Sequence, residues 1–193
     1  MKNKKLIITV IAFAALLVVA VLAYNGLRDR VPADTGTTAP AAGQEESGSG
    51  DEQEADKVLV PDFTIFDKGG NEISFSSFLG KPVVLNFWAS WCPPCRQEMP
   101  EFEKLYQELG SEVQFVMLSL TDGQRETTET ASSFIKEQGY TFPVFFDVNR
   151  EGAALFGIQS IPTTFFIDSD GYLIDHWIGM LDETSLRRAL ENL

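Results

Sequence analysis

Two cysteines, Cys92 and Cys95, stand two residues apart in Trp91-Cys92-Pro93-Pro94-Cys95, and they are the only cysteines among 193 residues. A bridge between them closes so short a loop that it barely restricts the unfolded chain. A disulfide-stapled secreted domain would also spread more cysteines along its length. The spacing suits a redox pair instead. If a helix opens at Cys92, the free N–H groups and the positive dipole end of its first turn favour a thiolate there. That thiolate attacks a disulfide and forms a mixed disulfide; Cys95, one turn further in, attacks Cys92 and releases the reduced product. Placing both thiols on one helix makes the second step intramolecular. The implied chemistry is thiol–disulfide exchange, with the Cys92–Cys95 couple itself carrying the electrons and no metal or separate cofactor.

Nearby residues would tune that chemistry. Glu98, Phe102, Leu105 and Leu109 recur at 4-3-4 spacing, one stripe of one helix. Its other members are apolar, so the Glu98 carboxyl is expected to face the core on the side of Cys95. Burial raises a carboxyl pKa, and such an acid can relay protons to the thiols. Pro93 has no N–H, which removes one donor from the Cys92 thiolate and is expected to make the couple more reducing. Pro94 belongs to the same tuning set. Trp91 is expected on a docking surface, Trp88 in the core or beside the site, and Arg96 in solvent next to Cys95. His176, the single histidine, has no candidate partner and receives no role.

The elements that must position these residues can be read from pattern. Residues 63–66 and 73–75, around Lys68-Gly69-Gly70-Asn71, predict a β-hairpin, and 76–79 a helical turn. Residues 82–89 form an apolar run of strand length, expected to be central and buried on both faces, leading straight into the cysteines. A helix follows to Leu109, ended by Gly110 and kinked at Pro100. Residues 113–119 read as a strand. Residues 127–138 read as a helix with Ala131, Phe134, Ile135 and Gln138 inward, closed by Gly139. A short strand at 144–147 and a short helix at 151–156 come next. Strands at 163–168 and 172–178 make a closing hairpin, and Asp182 caps a last helix stapled by Leu181 and Leu186. Strands alternating with helices, then a hairpin, predict an α/β sandwich on a mixed sheet.

The remaining segments concern location. Lys2, Lys4 and Lys5 precede an uncharged apolar run at 6–24. As a helix it would reach about 28 Å, close to the roughly 30 Å of bilayer hydrocarbon. It reads as a retained signal anchor, with cleavage after Ala23 as the alternative. The lysines would keep residues 1–5 in the cytoplasm and the rest outside. Residues 25–57 turn to Pro, Ala, Gly, Ser, Thr and acids, the composition of a disordered tether, ahead of a folded domain at 58–193. A formal net charge of -13 excludes nucleic-acid binding, which needs surplus Lys and Arg.

With these residues assembled, Phe87-Trp88-Ala89-Ser90-Trp91-Cys92-Pro93-Pro94-Cys95 resembles the thioredoxin superfamily active site, and more narrowly that of the membrane-anchored TlpA/ResA-type thiol–disulfide oxidoreductases. Pro61-Asp62-Phe63, then Glu98 and Pro100, then Gly157-Ile158-Gln159-Ser160-Ile161-Pro162-Thr163-Thr164-Phe165 carry the likeness along 58–193. The resemblance implies a thioredoxin-like fold with an N-terminal β-hairpin and a strand–helix insertion around 127–147. It implies a cis Pro162 beside the cysteines and a substrate strand pairing with the backbone of Ile161. Asn86 stands where thioredoxins carry a buried Asp; an amide cannot titrate, which leaves Glu98 as the proton carrier. The resemblance further implies protein disulfide substrates and a CcdA/DsbD-like membrane thiol transporter as reductant. Clients would be apocytochrome c cysteines, another secreted disulfide, or a methionine sulfoxide reductase or peroxidase.

Other readings weaken on particular residues. An extracytoplasmic dithiol oxidase would use the same cysteine pair, but the family resemblance, the membrane anchor and the reducing bias of Pro93 all favour a reductase. A peroxiredoxin-like peroxidase would have Thr where Ala89 stands. A zinc module needs about four ligands, and two cysteines with one distant histidine are too few. A non-catalytic interaction domain has no need of an intact Cys92–Cys95 pair.

Overall fold

A computed structural model describes residues 58–193. The expected cytoplasmic residues 1–5, the apolar run 6–24 and the linker 25–57 lie outside them. Among the described residues no helix is long and apolar enough to cross a membrane.

Among the described residues eight strands form one sheet: β1 (Val58–Leu59), β2 (Thr64–Phe66), β3 (Glu72–Ser74), β4 (Val83–Trp88), β5 (Gln114–Ser119), β6 (Val144–Phe146), β7 (Thr163–Ile167) and β8 (Tyr172–Ile178). Four α-helices among the described residues accompany them: α1 (Pro93–Leu109), α2 (Thr128–Gln138), α3 (Glu151–Leu155) and α4 (Glu183–Leu190). The strand order is β1-β8-β7-β4-β5-β6-β2-β3. β4 runs parallel to β5 and β5 to β6, while the other pairs are antiparallel, so the sheet is mixed as expected.

β4 is central and all six of its residues are buried, which explains its unbroken apolar sequence. Alternation along a strand sends successive side chains to opposite faces. Val84 and Trp88 join the core that holds Met99, Phe102 and Leu105 of α1, Phe134 of α2 and Leu186 of α4. Val83, Leu85 and Phe87 join a second core with Phe63, Ile65 and Phe75, Val116 and Leu118 of β5, and Phe165. Asn86 therefore shares the face of Val84 and Trp88, beneath α1.

The expected hairpin is β2–β3, followed by a 3-10 turn at Phe75–Phe78. The insertion is α2 followed by β6, which extends the sheet beyond β5 and gives β2 its partner. Thr127 caps α2 reciprocally with Thr130, and Gly139 ends it at φ 75°, a conformation glycine adopts without steric cost. Ala131 and Phe134 face inward as expected, but Gln138 is exposed: the last helical residue has turned toward solvent, where its amide stays hydrated. Asp182 accepts the Ser185 N–H at 2.8 Å, and Leu181 and Leu186 are both buried, as a staple requires.

β1 was not expected. Val58 and Leu59 pair with Leu173 and Tyr172, so the described chain enters at one edge of the sheet and then crosses to build the opposite edge. Trp177, Ile178 and Met180, at the far end of β8 and just beyond it, are exposed.

Candidate active site

The strand β4 delivers its C-terminal end to the turn Ala89-Ser90-Trp91, and Cys92 becomes the N-cap of α1. Cys92 and Cys95 form a disulfide, both sulfurs belonging to buried residues. Pro93 and Pro94 occupy the first two helical positions, where a missing N–H costs the helix nothing. The Cys95 N–H points at Sγ of Cys92 at 3.4 Å. The carbonyl oxygen of Ile161 lies 3.7 Å from the same sulfur. The Ile161–Pro162 peptide bond is cis. The loop before β7 is thus brought against the cysteine turn, as the resemblance implied. Trp91 is 37% exposed at the site and Trp88 fully buried beneath it.

Glu98 lies on the inward stripe of α1 and is 1% exposed. One carboxylate oxygen accepts from Nδ2 of Asn86 at 2.9 Å, and the other from the N–H of Leu181 at 3.0 Å. The Asn86 amide also donates to Oγ1 of Thr164 at 3.0 Å, its register partner across β4 and β7. Burial pushes the Glu98 carboxyl up from the ordinary 4.5 to about 7, against the opposing pull of the Leu181 N–H and the Asn86 amide. Desolvation wins because two donors cannot replace the water that a carboxylate loses. Residues three apart on a helix share a face, so the acid sits under Cys95.

A second buried acid was not anticipated. Glu126, fully buried on the loop after β5, accepts from the Ser90 N–H at 2.9 Å, the Ser90 hydroxyl at 2.7 Å and the Ser119 hydroxyl at 3.3 Å. It ties that loop to the residue before Trp91. Nothing local marks it, since its partners lie 36 and 7 residues away. Its neighbour Arg125 stacks on the Trp91 ring at 3.6 Å. His176, which received no role, stacks on Phe165 with ring centroids 5.8 Å apart. Among the described residues no cluster of three or more His, Cys, Asp or Glu could hold a metal ion.

A mixed sheet with a helix-capping Cys-x-x-Cys disulfide, and a cis-proline loop laid against it, defines a thioredoxin-like thiol–disulfide oxidoreductase. Comparison with known proteins agrees. The AhpC/TSA family model matches residues 57–176, and the chain belongs to that family. The thioredoxin-like protein YneN of Bacillus subtilis (strain 168) is 33% identical over 132 residues, covering 68% of this chain and 76% of YneN. The thiol-disulfide oxidoreductase ResA of Bacillus anthracis is 32% identical over 135 residues, covering 69% and 76%. Among solved structures, StoA from Bacillus subtilis superposes with a TM-score of 0.60 at 28% identity, covering 68% of this chain and 98% of StoA. A thiol:disulfide interchange protein of Chlorobium tepidum TLS gives 0.61 at 28%, covering 72% and 97%.

Proposed function

We propose that this protein is an extracytoplasmic disulfide reductase that acts on protein disulfides through Cys92 and Cys95. The observation that carries the proposal is the pairing of a helix-capping dithiol with a buried, high-pKa acid on the same helix face. In the reduced protein the Cys92 thiolate attacks a client disulfide; a mixed disulfide forms and one client thiolate leaves. Cys95 then loses its proton to ionised Glu98 and attacks Sγ of Cys92, expelling the second client thiolate. The protein ends oxidised, the client gains two electrons, and protons taken up from Glu98 and water complete two client thiols.

Asn86 suits a partner that must serve both protonation states. Its amide donates to a carboxylate and, turned over, offers Oδ1 to the acid. That oxygen has no protein donor in the present arrangement. Pro93 and Pro94 leave the Cys95 N–H as the backbone donor to Sγ of Cys92, which supports a weakly stabilised thiolate and hence a reducing couple. Trp91 and Ile161 form the surface that meets the client, with Ile161 offering its backbone and Pro162 buried behind it. No cofactor beyond the couple is needed.

The apolar run at 6–24, behind three lysines, supports anchoring with the domain outside the membrane. There the couple would be recharged by a CcdA/DsbD-like membrane thiol transporter. Cytochrome c maturation fits such a place, with apocytochrome thiols as the clients. The test is trapping: Cys95→Ser should accumulate mixed disulfides on Cys92 with client proteins, while Cys92→Ser should trap none. A measured potential as oxidising as roughly -120 mV would reverse the assigned direction.

A further inference from the structure

Two arginines at the mouth of the dithiol are claimed by no carboxylate. Arg125 lies with its guanidinium carbon 3.6 Å from the centre of the Trp91 ring, and Arg96, next to Cys95, lies 5.1 Å from that of Phe134. Both are exposed. Among the described residues the ion pairs are Lys104–Glu183, Arg187–Glu108 and Arg187–Glu183, and neither arginine takes part. A ring face orients a guanidinium without cancelling its charge, whereas a carboxylate would do both.

The acids around the site are occupied. Glu98 is buried against Asn86 and Leu181, and Glu126 against Ser90 and Ser119. Asp182 caps α4. Asp122 accepts the N–H groups of Gln124, Arg125 and Glu126 at 2.8–2.9 Å. The N–H groups of Asp122 and Gly123 in turn reach the Glu126 carbonyl at 3.0 and 3.1 Å. The loop bearing Arg125 is therefore closed on itself and clamped to Ser90, which holds that cation in place before any client arrives. Beside Arg96, an open cavity of about 340 Å³ lined by Pro93, Gln97, Phe134 and Gln138 leaves room for a client chain.

On the reading that this turn exchanges disulfides with proteins, we infer that Arg96 and Arg125 are specificity determinants that select clients whose reactive disulfide is flanked by acidic residues. Charge complementarity singles out this occupant. An acidic flank pairs two otherwise unpaired cations at the one place where a chain of net charge -13 presents them next to its reactive sulfur. A basic flank meets repulsion at the same place.

The test compares reduction rates of two peptide disulfides, identical except for Asp or Lys beside the cysteines, by the pre-reduced full-length chain. Uncharged 2-hydroxyethyl disulfide serves as reference. At low salt the acidic peptide should react roughly tenfold faster than the basic one. The gap should close as the Debye length shrinks from about 30 Å at 0.01 M to about 8 Å at 0.15 M. The acidic-to-basic ratio should fall to one or below in Arg96→Ala/Arg125→Ala, and invert in Arg125→Glu. Equal rates for the two peptides, or a ratio unmoved by the double substitution, would overturn the inference. Inability of the wild-type chain to reduce any of the three, hydroxyethyl disulfide included, would instead count against the exchange reading beneath it.

Discussion

Glu98 and Glu126 are equally hidden, at 1% and 0% exposure, and both reach the segment that carries the cysteines. They are furnished differently. Glu126 receives one N–H and two hydroxyls from Ser90 and Ser119, and so works as a clamp on a turn. Glu98 receives one amide and one backbone N–H amid Met99, Phe102 and Leu181, and burial dominates its titration. Equal burial thus serves two different ends: Glu126 ties a loop to Ser90, while Glu98 lies on the helix face it shares with Cys95.

The largest expected effect concerns Glu98 and appears in stability against pH. Folded, disulfide-bonded protein holds the Glu98 proton up to about pH 7, while the unfolded chain releases it near 4.5. The folded state binds more protons inside that window, so the Glu98 contribution is fully present below pH 4.5 and is lost as pH rises through 7. The loss amounts to about 3 kcal/mol. Urea unfolding of wild type against Glu98→Gln, from pH 5 to 8, should show a difference that follows this slope. A constant difference would remove Glu98 from the role assigned to it.

Next in size is catalysis. Glu98→Gln keeps the shape and loses the proton, and should slow resolution of the mixed disulfide about 100-fold near pH 7. The pH–rate limb near 7 should vanish with it, as stopped-flow measurements would reveal. Glu126→Ala should have the smallest effect: about 2 kcal/mol of stability, from hydroxyl and amide donors left without an acceptor in the interior. The pH slope attributed to Glu98 should persist in that variant. Were the slope to disappear with Glu126 instead, the distinction between clamp and carrier would be reversed.

How much of this was legible depended on range. Glu98 was readable because a helix repeats every 3.6 residues and its stripe partners are apolar, so one acid among them must point inward. β4 was readable because an unbroken apolar run of that length needs cover on both faces. The α/β layering and the capping Asp182 followed from similar local rules, whereas the thioredoxin-like fold and its insertion came from the resemblance carried by the separated motifs. Glu126 ends Thr121-Asp122-Gly123-Gln124-Arg125-Glu126, a polar loop without period, and only tertiary contact with Ser90 and Ser119 hides it. The Arg125–Trp91 stack is equally non-local. β1 escaped notice because two residues carry no alternation; its strand character exists only through Tyr172 and Leu173.

That brief β1 has a colloidal consequence. It covers β8 at Tyr172 and Leu173 and leaves Ile174 to Ile178 without an outer partner strand among the described residues, with Trp177 and Ile178 exposed on it. Such an edge is a template on which a second copy can crystallise its own strand. Asp175 breaks the apolar run, and a charge of -13 makes copies repel one another at distance. The acidity of this chain, read first as a bar to nucleic acid, then also serves to keep its unfinished sheet from growing.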